Sequence, residues 1–411
     1  MAFTTALSGV NAAQSDLDVI SNNIANSSTT GFKTGRAEFG DVYAQSLLGT
    51  TTPTPGQGVK VTGITQQFSQ GDLEFTDNAL DVAINGDGFF QVKTTQGVVE
   101  YTRAGAFKID KDGYVSTTSG ARVQGFQVDS ATGKVSGEVG DIQTQTALLA
   151  PKPTSTTKLT GNLDARAGEP TTTTFSATDP TSYNSVTSLA VFDTKGGSHT
   201  LDIYFVKTST ANQWNVLTYI DGTSTSANAT TPESSALPFT TSGAYDATGT
   251  KGTFSIDTTV TGAVDLTIAV DITGLTQYGT NFAINTAEQN GYSAGQLSSI
   301  EVNEYGLVSA RYSNGISSSM GQFALADFGN VNGLQPVGST NWIETYKSGM
   351  PVLNKAGDNA LGLIQGFALE QSNVAITQEL VDLIVAQRNF QANAQVVQAE
   401  DAITQTIINM R

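Results

Sequence analysis

The prolines decide where this chain can form a long helix. All ten lie between Pro53 and Pro351, and none falls in residues 1–52 or 352–411. Proline removes a backbone donor and clashes with the preceding helical turn, so only the two ends are free to run as long helices. Both carry the pattern for it. In the first, Phe3, Leu7, Val10, Leu17 and Ile24 recur at 4-3 spacing, with Gln14 and Ser21 on the missing beats and Ile20 widening the stripe. This is a heptad-like seam, suited to a helix that lies along another helix. The run Asn22-Asn23-Ile24-Ala25-Asn26-Ser27-Ser28 competes for backbone hydrogen bonds and ends the helix, and Gly31 closes it. Residues 4–25 should therefore form a rod of about 33 Å.

At the other end, Ser372 or Asn373 is the expected N-cap, and Ile376, Leu380, Leu383, Phe390, Ala394 and Val397 repeat the period. Gln387 interrupts it, and Asp401 and Thr404 weaken it before Ile408. No Gly or Pro follows Gly366, so the spacing predicts a helix of about 38 residues, or about 57 Å. Such a rod cannot fold onto a small core along its whole length. Its stripe needs a partner.

The rest reads as β structure. Alternation marks 81–84, 89–92, 107–109 and 201–206, and turn signals separate the runs at Asn85-Gly86-Asp87-Gly88, Asp112-Gly113, Lys195-Gly196-Gly197 and Asn332-Gly333. The expected fold is multidomain and mainly β, with discontinuous β domains nested between N- and C-terminal helices that form a coiled-coil-like pair. Residues 1–32 and 365–411 are the helical domain, and 33–71 an extended linker that includes the irregular Thr50-Thr51-Thr52-Pro53-Thr54-Pro55-Gly56. Residues 72–146 and 289–364 form a discontinuous middle domain. Residues 147–288, rich in Thr, Ser and Asn, form an inserted one.

The composition then removes whole classes of chemistry. Zero Cys excludes disulfides and thiolate sites, and one His (His199) leaves no imidazole triad or multi-His metal centre. Twenty Lys+Arg against 37 Asp+Glu give a net charge of −17 with no basic block, which argues against nucleic acid and anionic membranes. No apolar run reaches the ~18–20 residues of a membrane span, and no basic-then-apolar leader opens the chain. Asp110-Lys111-Asp112-Gly113 resembles the start of a calcium loop, but the position that needs an acidic ligand is Ala121, so a β-turn is preferred. Gly86-Asp87-Gly88 lacks the following Lys-bearing helix of a phosphate loop and is read as a hairpin turn. His199 is read as a turn or surface residue. No catalytic residue, cofactor or metal ligand is expected. Six apolar side chains on one stripe contribute on the order of 10–15 kcal/mol when buried, against about 4–15 kcal/mol for association. One pairwise contact would be marginal, while a lattice with several neighbours per helix would hold.

Several motifs together resemble one family. Ala6-Leu7-Ser8-Gly9-Val10-Asn11-Ala12, Leu17 through Asn26 (with Asn22, Asn23 and Asn26) and Thr30-Gly31-Phe32-Lys33 resemble the N-terminal signature of bacterial flagellar rod and hook axial proteins. Ser372-Asn373-Val374, Glu379-Leu380-Val381, Gln387-Arg388-Asn389-Phe390-Gln391 and Asn393 resemble its C-terminal partner. Asp81 through Ile84, Gly88-Phe89-Phe90 and Tyr101-Thr102-Arg103-Ala104-Gly105-Ala106-Phe107 resemble the β-domain motifs. Within the family, the length and insert look like those of hook subunits; a distal rod-type subunit is the alternative. The resemblance implies a homopolymeric tube around an export channel, a flexible universal joint carrying torque. Leu7, Val10, Leu17, Ile20, Ile24 and their C-terminal counterparts would form the subunit interface. It further implies an extracellular position on the flagellum and export through the flagellar type III apparatus. The expected partners are the rod at the proximal end, a hook–filament junction protein at the distal end, and a cap during assembly. From other classes, a β-rich surface adhesin or a carboxylate-based enzyme would lack this need for the ends.

Overall fold

The computed structural model describes residues 2–42, 56–129, 134–144, 148–224, 234–246, 253–258, 266–359 and 361–409. The stretch 50–55 of the expected irregular segment lies outside them. The chain divides into two compact units, one of residues 1–146, 299–310 and 317–411 and the other of 147–298 and 311–316.

In the first unit, helix α1 spans Ala2–Ala25 and helix α2 spans Ile376–Asn409. They pack antiparallel: Asn23 meets Glu379 at one end, and Gly9 faces Asn393 further along. The expected cap of α2 is corrected. The helix begins at Ile376, and the Asn373 side chain instead bonds the chain near Thr34 and Gln67. Residues 33–71 are likewise not simply an extended linker. Gly35–Asp41 and Val59–Gln66 form an antiparallel hairpin with a bulge at Glu38/Phe39, and it lies against α1. Its Thr- and Gly-rich strands alternate too weakly to stand out in the sequence.

Among the described residues, the β part of this unit beyond that hairpin is a 13-stranded sheet system plus two short pairs. Leu363–Gly366 pairs with Val82–Asn85, and Ala368–Glu370 with Leu73–Phe75, so the returning C-terminal segment completes strands laid down early in the chain. Phe89, Tyr101, Phe328 and Trp342 form an aromatic core whose rings meet edge to face.

Among the described residues, the second unit has a four-stranded and a five-stranded sheet. In the first of these, Thr156–Asp164 runs parallel to Leu266–Tyr278 and antiparallel to Ala283–Gln289. In the other, Ser185–Phe192, Ser198–Lys207 and Gln213–Ile220 are antiparallel neighbours. Leu159, Leu163 and Ile268 from one sheet and Leu201, Phe205 and Val216 from the other share one buried cluster. Trp214 Nε1 donates to Gln277 Oε1 across it at 3.0 Å. The unit reaches residue 298 and takes in 311–316, beyond the expected insert boundary at 288. As expected, Asp110 heads a turn: its Oδ1 accepts from the amides of Asp112 and Tyr114.

Candidate assembly site at the paired termini

The two helices meet on a face one residue away from the apolar stripes. On α1, Ala6, Ala13, Ile20 and Asn23 are buried, Gly9 abuts Asn393, and Asp16 faces Asp382. These positions keep the 3-4 alternation of a heptad, displaced by one residue from the expected 7-10-17-24 stripe. On α2, the facing positions are Glu379, Asp382, Ala386 and Asn393, again one residue from the expected 380-383-390-394-397 stripe. One residue is about 100° around a helix. The contact within one copy thus keeps that period on a neighbouring face and leaves most of the stripe unburied. Of the expected seam residues only Ile20 is fully buried within one copy. Leu7 (43 %), Ile376 (48 %) and Leu380 (46 %) are exposed. Val10, Leu17, Ile24, Leu383, Phe390, Ala394 and Val397 are half-buried.

The close approach explains the displacement. A Cβ on Gly9 would lie 2.6 Å from Asn393 Oδ1, so the backbones sit nearer than large side chains allow, and Ala, Gly and short polar residues occupy the contact. The larger groups are turned to the flanks. Around the contact, burial first and Asp382 second push the Asp16 carboxyl above its ordinary value. Burial also pushes Glu379 up, opposed by the Asn23 amide and assisted by Asp382 and Asp16.

Below the helices, the motif residues tie the two ends of the chain together. Lys33 is fully buried; its Nζ lies 2.5 Å from Glu370 Oε1 and donates to Ser69 O at 2.7 Å. Glu370 Oε1 also accepts from the Gly71 amide at 3.0 Å, and Oε2 lies 3.3 Å from Arg103 Nη1. Arg103 donates to Gly86 O at 2.9 Å and sits over the Phe89 ring. Burial pushes the Lys33 ammonium below the ordinary lysine value, and the Glu370 carboxylate opposes that shift. One carboxylate thus compensates two buried cations, an arrangement that fails badly if the acid is lost.

Gly31 is fixed by two requirements. Its φ is +70°, and a Cβ there would come within 2.5 Å of Ala104 N, so only glycine fits; its amide donates to Glu370 O at 2.8 Å. Asn23 Oδ1 accepts from Gly35 N, and its Nδ2 donates to Gly35 O and Glu379. Asn373 Oδ1 accepts from Thr34 N and Oγ1, and its Nδ2 donates to Gln67 O. Asn26 Nδ2 closes the end of α1 on Asn22 O at 2.9 Å. Phe32, Ser372 and Val374 are half-buried, and Gln387 and Arg388 are exposed on α2. Sequence reasoning passed over Glu370, the hub of this cluster: a lone acid at the end of a short strand carries no local signal.

Comparison with known proteins places these features in a family. Four family models match successive parts of the chain: "Flagella basal body rod protein" over 3–33, "Flagellar hook protein FlgE/F/G D1 domain" over 83–152, "Flagellar basal body protein FlaE D2 domain" over 162–292 and "Flagellar basal body rod FlgEFG protein C-terminal" over 365–410. The flagellar hook protein FlgE of Salmonella typhimurium is 39 % identical over 415 residues, covering all of both chains. The chain belongs to the flagellar hook protein family. Hook proteins of Escherichia coli (39 % identical, complete coverage of both chains) and Treponema pallidum (30 %, covering 99 % of this chain and 98 % of the other) agree. The crystal structure of Helicobacter pylori flagellar hook protein FlgE2 matches with a TM-score of 0.53 at 14 % identity, covering 72 % of this chain and 100 % of that one, a likeness of fold. The hook family is one of structural, self-polymerising proteins located in the flagellar hook. Its C-terminal and N-terminal models fall on α2 and on α1 with the Gly31–Lys33 motif. Among the described residues, no group of three or more His, Cys, Asp or Glu is placed to hold a metal ion, and no helix is long and apolar enough to cross a membrane.

Proposed function

We infer that this chain is the structural subunit of a flagellar hook and polymerises through the apolar flanks of its paired terminal helices. One observation carries this: the regular stripes of both helices are not consumed by their mutual contact. Leu7, Ile376 and Leu380 are open, as are Val381, Ile384 and Val385 beside them. The pairing of Gly9 with Asn393 and Asn23 with Glu379, extended along the helices, puts Ala2 opposite Glu400. Among the described residues, the remainder of α2, with Ile403 and Ile408 exposed, has no helix opposite it. Each large apolar side chain taken from water contributes about 1.5–3 kcal/mol, so several neighbours per helix offset the cost of association. The expected seam residues become contacts between copies, and the small-residue face holds the pair within each copy.

In the assembled tube the helices supply torsional continuity from copy to copy. The hydroxyl-rich surface of the second unit makes wet contacts that exchange water for hydroxyl bonds at little net cost, so spacing between copies can change as the joint turns. The rod, the junction protein, the cap and the type III export apparatus are the partners assigned to such a subunit. The test is Leu380→Asp and Leu383→Asp in the full chain, followed by electron microscopy and sedimentation. Both variants should keep a wild-type circular dichroism spectrum and form no tubes, because a carboxylate buried between copies without a partner costs several kcal/mol. Wild-type tube yield from both would refute the assignment.

A further inference from the structure

His199 is the chain's single histidine, and it is held between two carboxylates. Its Nδ1 lies 2.6 Å from Asp221 Oδ2 and its Nε2 lies 3.5 Å from Asp193 Oδ2, with the side chain 19 % exposed. Both acids also accept backbone amides from their own surroundings. Asp193 Oδ1 accepts from the amides of Lys195 and Gly197, and Asp221 Oδ1 from the amide of Thr200. They belong to different turns of the five-stranded sheet. Asp193 closes the turn between Ser185–Phe192 and Ser198–Lys207, and Asp221 opens the turn between Gln213–Ile220 and Thr223–Ser224. The ring therefore bridges two turns that are not neighbours in the chain.

Proton counting distinguishes the states of the ring. A neutral imidazole has one N–H, and whichever nitrogen carries it, the other directs a lone pair at a carboxylate oxygen. Only the imidazolium donates to both acids. The two nitrogens point to opposite sides, so imidazole and carboxylates do not converge on one point as ligands of a metal would.

We propose that His199 is a proton-operated clamp: as the imidazolium it ties the Asp193 turn to the Asp221 turn, and loss of one ring proton frees the Asp193 side. That side is released because the 2.6 Å bond to Asp221 is the shorter and keeps the remaining proton. The charged groups around the ring are Asp221 on one turn and Asp193 on the other, with Lys195 in the Asp193 turn. The hydrogen bond to Asp221 raises His199 above the ordinary imidazole value; burial opposes this, and Asp193 adds to it. The hydrogen bond from His199 and the Thr200 amide hold Asp221 below the ordinary carboxylate value. Burial opposes the same shift in Asp193, but the Gly197 amide and His199 prevail. A histidine whose folded value is raised contributes fully below the unfolded value of about 6.5 and loses its contribution as pH rises through the folded value. Acids with lowered values lose theirs as pH falls through those values. The clamp is closed below the unfolded imidazole value and opens as pH rises through the raised folded one.

The test uses the full chain with carbon-13-labelled histidine, whose single residue gives one imidazole signal set. The titration midpoint should lie above 6.5, and exchange of the Lys195 and Gly197 amides, corrected for intrinsic base catalysis, should rise several-fold through that midpoint. In His199→Gln the exchange step should vanish. Should that variant fail to fold, Asp193→Asn serves instead and should lower the imidazole midpoint. A wild-type midpoint at or below 6.5, an exchange step that survives in His199→Gln, or a midpoint unmoved by Asp193→Asn would each overturn the clamp.

Discussion

The second unit and the paired helices of the first handle apolar surface in opposite ways. The second unit is the Thr- and Ser-rich part of the sequence, yet Leu159, Leu163, Leu201, Phe205, Val216 and Val270 are wholly buried between its two sheets. The helices carry the most regular apolar pattern in the chain, and they leave Leu7, Leu380 and Ile384 in water. Polar composition here accompanies a core that is complete within one copy, and apolar regularity accompanies surface that is not. Hydroxyl residues cover the outside of the sheets, while alternate positions along each strand fill the inside. Regular apolar stripes on a helix instead advertise a partner.

The largest expected effects would break this contrast if the two units answered together. Trp214→Ala empties a large buried site and should cost about 3–5 kcal/mol. Glu370→Gln leaves Lys33 and Arg103 without a counterion and should cost about 3–5 kcal/mol. Each should lower only its own transition in scanning calorimetry, that of the second unit for Trp214 and of the first for Glu370. A single common transition displaced by both would show that the units are not thermodynamically separate.

A smaller effect sharpens the account of the helices. Asp16, Glu379 and Asp382 face one another across the pair, with Arg36 lining the same cavity. Asp16 and Glu379 are raised, first by burial and then by neighbouring acids, so the folded pair binds protons more readily than the unfolded chain. Helix pairing should weaken as pH rises through these raised values and be strongest below the ordinary carboxylate range. Asp382→Asn should raise the helical melting temperature at pH 7 and flatten its difference from pH 4. An unchanged difference would remove these acids from the account.

The smallest effect concerns Gly9. Alanine gains up to about 1 kcal/mol of helix propensity, but its Cβ must displace the Asn393 amide. Gly9→Ala alone should therefore cost less than about 1 kcal/mol, and adding Asn393→Ala should more than restore it. A double-mutant cycle with no coupling would mean that the helices do not touch there.

Much of this architecture was visible beforehand for identifiable reasons. The proline-free ends located both helices, and the Asn-Gly and Asp-Gly turns separated strands that were found, such as Phe89–Lys93 and Phe107–Ile109. The contact within one copy was not legible because large side chains dominate a periodic pattern. A seam of Ala6, Gly9 and Ala13 makes sense only once the partner backbone is seen to approach. Asn373 reads as a cap from its type and position, but its amide is engaged by Thr34 and Gln67, which lie more than three hundred residues earlier. Glu370 is invisible for the same reason.

Lys33 and Glu370 stand 337 positions apart. A copy cut short before Glu370 keeps two buried cations with nothing to neutralise them, so its base cannot close, however well the intervening sheets have formed. The footing on which α1 and α2 stand side by side therefore exists only in a copy that extends at least as far as Glu370.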